Sequence, residues 1–304
     1  MDHICPVCNR FKFKGFAFEG NTEVCEMKLN SEFMILVRPL NLGRSLRIGS
    51  DFDGGYVVPE IALQKIEYLY SYGYGYNFEF ENHLIDLKNI QVFLYDDKAS
   101  IRSLLLRFMT SLLVRPFIKS VKHAPRKIFY DFTNYWKMIK NEKIHYHNRK
   151  VIGIGSGSNR KSKTIIFDKS IKTSNIKFLN TGIKIDIEGY EYIILNKSEI
   201  DFKDYAFIII EFHDISNNLD LFKKIVSNLF VNFVIANTHV NNYGQVSSKG
   251  IPSIVEIVFV NKSLSHQNSY VQSIPSNLDK PCCIRLPDIY YAYDVNNSDG
   301  KVIV

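Results

Sequence analysis

The sequence predicts an α/β fold: a mostly parallel sheet with helices covering both faces. Three observations predict it. Short, continuous apolar runs recur along the chain, too apolar for strands with one wet face. Stretches of helical spacing separate most of them, as right-handed parallel crossovers require. The last two runs are joined instead by a polar, Gly-containing loop, which predicts a closing antiparallel hairpin.

In chain order, the first recognisable piece is Asp51-Phe52-Asp53-Gly54-Gly55-Tyr56-Val57-Val58-Pro59, where paired glycines suit a tight turn and Pro59 halts a short strand. The first run, Ile66 to Tyr72, ends at Gly73, and the second, Ile90 to Tyr95, ends at Asp96-Asp97. A third is expected at Val151–Gly155. Gly182 to Ile187 is the fourth, with a helix from Glu188 to Leu195. Ala206 to Phe212 is the fifth, with a helix from about Asn218 to Leu229. Phe230–Ala236 and Ser253–Val260 complete seven. Between the second and third runs, Ile101, Leu104, Leu105, Phe108, Leu112 and Leu113 recur at helical spacing, and Pro116 and Pro125 divide the segment. The organisation expected is an extension over residues 1–40, a domain over 41–290 with a helical insertion at about 100–150, and an irregular tail over 291–304.

Composition narrows the class. The chain has 304 residues, 46% apolar and 23% charged. These values exclude a disordered chain, a collagen-like chain and a disulfide-dense scaffold. No apolar run approaches the roughly 18–20 residues of a membrane span. The first eight residues lack the apolar core of a signal peptide, and the five cysteines have no framework spacing, so the expected setting is cytoplasmic. The net charge is +7, but residues 100–150 carry twelve Lys and Arg against Asp131 and Glu142. That segment is about +10 and the remainder about −3, so the basic character belongs to one patch.

Four motifs carry chemistry. Tyr72-Gly73-Tyr74-Gly75 follows a strand, and glycines there let a ligand lie against the backbone. Asp96 ends the next strand, 21 residues after Gly75, where a carboxylate can accept the hydroxyls of a ribose. Phe78 replaces the third glycine of a dinucleotide fingerprint, which argues for a nucleoside ligand without a pyrophosphate. Asp186 and Glu188, two apart at a strand end, point two carboxylates toward the crevice of an open sheet. A helix-start acidic pair is the alternative. Glu211 and His213 end the fifth run, and His239 follows the sixth, so two imidazoles stand beside several carboxylates.

Together these pieces resemble an FkbM-type S-adenosylmethionine-dependent methyltransferase. Lys184-Ile185-Asp186-Ile187-Glu188-Gly189-Tyr190-Glu191 is similar to that family's signature, and the resemblance spans roughly residues 40–290. It takes in Asp53-Gly54-Gly55-Tyr56, Ser71 to Gly75, Glu211-Phe212-His213, His239 to Gly244 and Ser253 to Phe259. The resemblance implies a class I methyltransferase (Rossmann-like) sheet of seven strands with an antiparallel last strand. It implies methyl transfer to a hydroxyl of a sugar or secondary metabolite. Gly73, Gly75 and Asp96 are then expected to hold S-adenosylmethionine, with Asp53 and Tyr56 closing over it. His213 or His239 is the expected base, with Asp186 and Glu188 orienting the base or the acceptor. Asp186, Glu211, His213 and His239 permit a shared divalent metal but do not demand one. Arg102, Arg107 and Arg115 of the basic segment are expected to meet a phosphorylated or nucleotide-linked acceptor. The long basic insertion and Cys5-Pro6-Val7-Cys8 depart from the family pattern. Cys5 and Cys8 have metal spacing, yet one such pair falls short of a zinc ribbon. Two other readings use the same residues: a nucleotide-sugar enzyme of another reaction type, and a protein that binds nucleic acid or a membrane surface through the insertion.

Overall fold

The computed structural model describes residues 24–26, 29–97, 100–114, 124–153, 164–171, 176–265 and 269–293. Cys5, Cys8, Arg115 and the tail beyond residue 293 lie outside them, as does the side chain of Arg107.

The chain opens with β1 (Val24–Glu26), α1 (Ser31–Leu36), β2 (Ser45–Gly49) and β3 (Gly55–Pro59). Asn30 caps α1 by accepting the N–H of Phe33 at 2.9 Å. The first sheet unit follows: β4 (Tyr68–Tyr72), α2 (Glu79–Lys88) and β5 (Gln91–Tyr95). Two helices, α3 (Ile101–Val114) and α4 (Ala124–Lys140), lead to β6 (Ile144–His147). Then come β7 (Lys150–Ile152), β8 (Thr164–Ile166), α5 (Phe167–Ser170), β9 (Thr181–Ile185) and α6 (Glu191–Asn196). The last elements are β10 (Phe207–Phe212), α7 (Leu219–Leu229), β11 (Phe233–Val240), β12 (Val255–Asn261), β13 (Ser273–Ile274) and β14 (Asp288–Ala292).

Seven strands form one sheet in the order β11-β12-β10-β9-β4-β5-β6. β12 runs antiparallel between β10 and β11, and the other pairings are parallel. This is the class I methyltransferase arrangement: the chain winds outward from β4 to β6, then returns to β9 and winds the other way. Strand order therefore reverses between β4 and β9, whose carboxyl ends define the ligand crevice of such a sheet.

Strand alternation splits the core between the two faces. Ile208, Ile210 and Phe212 of β10 join Tyr70, Tyr72, Ile183 and Ile185 on one face. Phe207 and Ile209 join Leu69, Val92 and Leu94 on the other. α7 covers the first face, where Phe222 packs against Phe212 and Phe33. Phe33, Met34 and Val37 thus lie inside the main core, so packing shows no break at residue 40.

Two strands differ from the sequence expectation. The third strand of the sheet is β6, not Val151–Gly155; Lys150–Ile152 pairs with β8 in a separate two-stranded sheet. Ile144-His145-Tyr146-His147 looks polar because only Ile144 is buried, as suits an edge strand. β11 starts later than expected and runs on to Val240, so His239 lies within a strand and not beyond it.

Candidate functional site

The site begins where β4 ends. Gly73 has φ +76°, and a Cβ there would come within 1.7 Å of the Asp186 carbonyl oxygen, so only glycine allows β4 and β9 to close this tightly. Gly75 has φ +52°, and a Cβ on it would meet no atom within 4 Å; the space beside it is open. Asp96, just past β5, accepts the N–H groups of Tyr74 at 3.0 Å and Gly75 at 3.2 Å through one carboxylate oxygen. It therefore fixes the glycine turn as well as facing the crevice.

Lys184 of β9 joins the two halves. It is almost wholly buried, and its ammonium donates to the Gly73 carbonyl at 2.9 Å. It lies 3.6 Å from Asp186 and 3.9 Å from Glu81. Burial lowers its pKa, but Glu81, Asp186 and Glu211 outweigh that and hold the cation above the ordinary lysine value. Asp186 is pushed up to about 6 by burial, against the opposing charges of Lys184 and His213.

After Asp186 the backbone turns left-handed at Glu188 (φ 57°) and Gly189 (φ 94°), which breaks strand alternation. The Glu188 side chain is largely exposed in consequence. Glu191, the first residue of α6, is fully buried. One of its oxygens accepts the His213 backbone N–H at 2.6 Å and lies 3.2 Å from His213 Nδ1; the other accepts the Gly189 N–H at 2.8 Å. His213 Nε2 is 3.8 Å from Glu188 and 3.7 Å from Glu211. Burial lowers the imidazole pKa, yet Glu191, Asp186 and Glu188 together hold it above the usual histidine value. The role of Glu191 was missed in the sequence. Its signal was the last acid of the signature motif, indistinguishable there from a helix-start carboxylate.

A cavity of about 310 Å³ lies over these strand ends. Asp53, Gly73, Tyr74, Gly75, Asp96, Asp97, Lys184, Asp186 and Glu188 line it, as do Arg149, Lys150 and Tyr190. Of the expected site residues, Asp53, Gly73, Gly75, Asp96, Asp186 and Glu188 are thus on one wall system, and His213 reaches it through Glu188.

Three expectations change. Tyr56 does not close over the cavity: the β2–β3 hairpin turns it inward, its ring edge-on to Phe80 at 5.3 Å and under Lys184 at 5.7 Å. Arg102 is exposed on α3 and away from the cavity lining, whose cations include Arg149 and Lys150 instead. His239 is not free to act as a base. Nδ1 is 2.9 Å from Glu256 and Nε2 is 3.0 Å from Asp288 of β14, all three buried. Burial lowers its pKa, but Asp288, Cys282 and Glu256 raise it well above the usual value.

The site offers metal ligands as well. One atom each from Asp186, Glu211 and His213 lie within 4.8 Å of one another, a donor set that suits a divalent cation. His239 falls outside this set and stands instead with Glu256 and Cys282, whose ligand atoms also lie within 4.8 Å of one another.

The arrangement can hold a nucleoside against a glycine turn and a carboxylate, and can take a proton beside it. The residues fit S-adenosylmethionine: Gly75 leaves open space for it, and Asp96 and Asp97 offer ribose acceptors. Residues 121–241 match the methyltransferase FkbM domain, a span that includes Asp186, Glu188, Glu191, Glu211, His213 and His239. Among solved structures, a Methanococcus jannaschii fibrillarin pre-rRNA processing protein is 11% identical, covering 66% of this chain and 69% of its own, with a TM-score of 0.33. A chain of the fibrillarin/Nop5p complex is also 11% identical, covering 70% and 90%, with a TM-score of 0.35. No curated protein matches the chain. The family match runs from α4 into β11, and the strand order of the whole sheet is that of the class I methyltransferase fold, so residues 121–241 are similar to an FkbM methyltransferase domain set in a sheet of the matching topology.

Proposed function

We propose that the protein methylates a hydroxyl of a sugar, a nucleotide-sugar or a surface-glycan precursor. The observation that carries this reading is the juxtaposition of the Gly73–Gly75 turn and Asp96 with Asp186 and Glu188 around one cavity, with His213 Nε2 behind that wall, 3.8 Å from Glu188. S-adenosylmethionine supplies an electrophilic methyl group. The chain's own residues do the rest. The glycine turn and Asp96 hold the nucleoside and its hydroxyls. Asp186 and Glu188 orient the acceptor hydroxyl. His213 takes the hydroxyl proton, its ring fixed by Glu191 at Nδ1. Those carboxylates then stabilise the imidazolium. Arg149 and Lys150 at the cavity favour an acceptor that carries phosphate.

The donor set of Asp186, Glu211 and His213 supports a second reading, in which a divalent cation at those residues acidifies the hydroxyl. Incubation with labelled S-adenosylmethionine and a panel of sugars and nucleotide sugars, followed by mass spectrometry, tests the proposal. Label on a hydroxyl oxygen is the expected result. Label on nitrogen or carbon, or tight cofactor binding with transfer to protein or RNA alone, would overturn it.

A further inference from the structure

The insertion carries a surface that methyl transfer leaves unused. On α4, Phe129, Phe132, Trp136 and Ile139 follow helical spacing i, i+3, i+7, i+10 and so share one face. All four are exposed, Phe129 by 69% and Trp136 by 48%. Asp131, Asn134 and Met138 mark the opposite, buried face. The neighbouring α3 exposes Ile101, Leu105, Leu106 and Met109, with Arg102 among them. α4 packs inward through a mixed face that includes Met138 and leaves a second apolar stripe in solvent.

Charge decides what covers such a face. The exposed cations described on these two helices are Arg102, Lys137 and Lys140, within a segment whose sequence carries about +10. A second copy would bring the same charge and be repelled. Single-stranded nucleic acid would match the charge and stack bases on the aromatic rings, but leaves the aliphatic Ile139, Leu105, Leu106 and Met109 in contact with nothing apolar. An anionic lipid surface offers both halves: acyl chains for the stripe and headgroups for the cations. Lys140, with its ammonium 5.0 Å from the Trp136 ring, has the aromatic–cation pairing of a membrane interface. Among the described residues no helix is long and apolar enough to cross a membrane, so the contact would be peripheral.

We propose that α3 and α4 dock the protein on an anionic membrane surface, with Trp136 at the level of the headgroups. This goes beyond the methyl-transfer reading and does not depend on it. Trp136 is the sole tryptophan of the chain, so its emission reports the contact in the unmodified protein. The full chain is mixed with vesicles of phosphatidylcholine alone or with one-third phosphatidylglycerol. The expected result is a blue shift and co-sedimentation with the anionic vesicles only, weakened by salt. The variant F129S/I139S, altered at exposed positions, is expected to keep its melting temperature and bind about tenfold or more weakly. An unshifted emission with anionic vesicles would overturn the proposal. So would vesicle binding unchanged in the variant, salt-sensitive RNA binding without lipid binding, or a dimer that buries Trp136 before lipid is added.

Discussion

Replacing Lys184 by Met removes one charge from the joint between the two halves of the site and keeps the length of the side chain. The buried ammonium answers Glu81 at 3.9 Å, Asp186 at 3.6 Å and the Gly73 carbonyl at 2.9 Å. After the change Glu81, fully buried, keeps only the Ser71 hydroxyl as a donor on Oε1. Removing one partner of a buried ion pair costs about 3–5 kcal/mol, because the other charge stays desolvated and unpaired. At roughly 2–4 °C per kcal/mol for a domain of this order, the melting temperature should fall by about 6–20 °C. The deficit should shrink as the pH falls through about 6, where Asp186 takes up a proton. A protonated carboxyl needs no cation. Thermal melts of Lys184→Met, Glu81→Gln and the double variant between pH 5 and 8 measure this. Glu81→Gln should cost less in the Lys184→Met background than alone. A loss below about 1 kcal/mol, or additive costs, would refute the argument that Lys184 holds the joint together.

Four further outcomes are expected. His213→Asn should lower kcat by about 10²–10⁴-fold with cofactor affinity retained; the wild-type kcat/KM should rise with pH through a value above 6.5, because the surrounding carboxylates hold His213 protonated below it. Asp96→Asn can still accept the Tyr74 and Gly75 N–H groups but loses its charge, and calorimetry should show S-adenosylmethionine bound about 1.5–3 kcal/mol more weakly with the melting temperature near normal. His239→Gln should destabilise the fold by about 3–5 kcal/mol in urea melts. Since the His239 pKa is raised from 6.5, its stabilisation is fully present below that pH and is lost as the pH rises through the folded value, and the variant's deficit should narrow there. If a cation sits at Asp186, Glu211 and His213, chelator-treated protein should bind Mn²⁺ by calorimetry and Glu211→Gln should not; activity untouched by chelator would leave the acid–base reading alone.

The sequence by itself determined the sheet, because a strand buried on both faces must be apolar throughout. Phe207 to Phe212 and Val255 to Asn261 could hardly be read otherwise. It also determined the chemistry-bearing strand ends, since glycine at Gly73 and acids at Asp96 and Asp186 stand where apolar runs stop. It misplaced the third strand because β6 is an edge: Ile144 alone is buried there, and the run expected as a strand, Val151–Gly155, starts within Lys150–Ile152, which pairs elsewhere. Tertiary structure alone decided the roles of the two histidines. Both looked alike in the sequence, an imidazole near the end of an apolar run. Across β11, β12 and β10, however, His239 lies opposite Glu256, and Glu256 opposite Glu211. β14 then adds Asp288 to the far side of His239. No local pattern encodes that placement, because the two carboxylates come from 17 and 49 residues away in the chain. One imidazole is held between two buried carboxylates, while the other keeps one ring nitrogen beside Glu188 at the wall of the cavity. What separates them is which strands and loops fold against each, a property of the packed sheet.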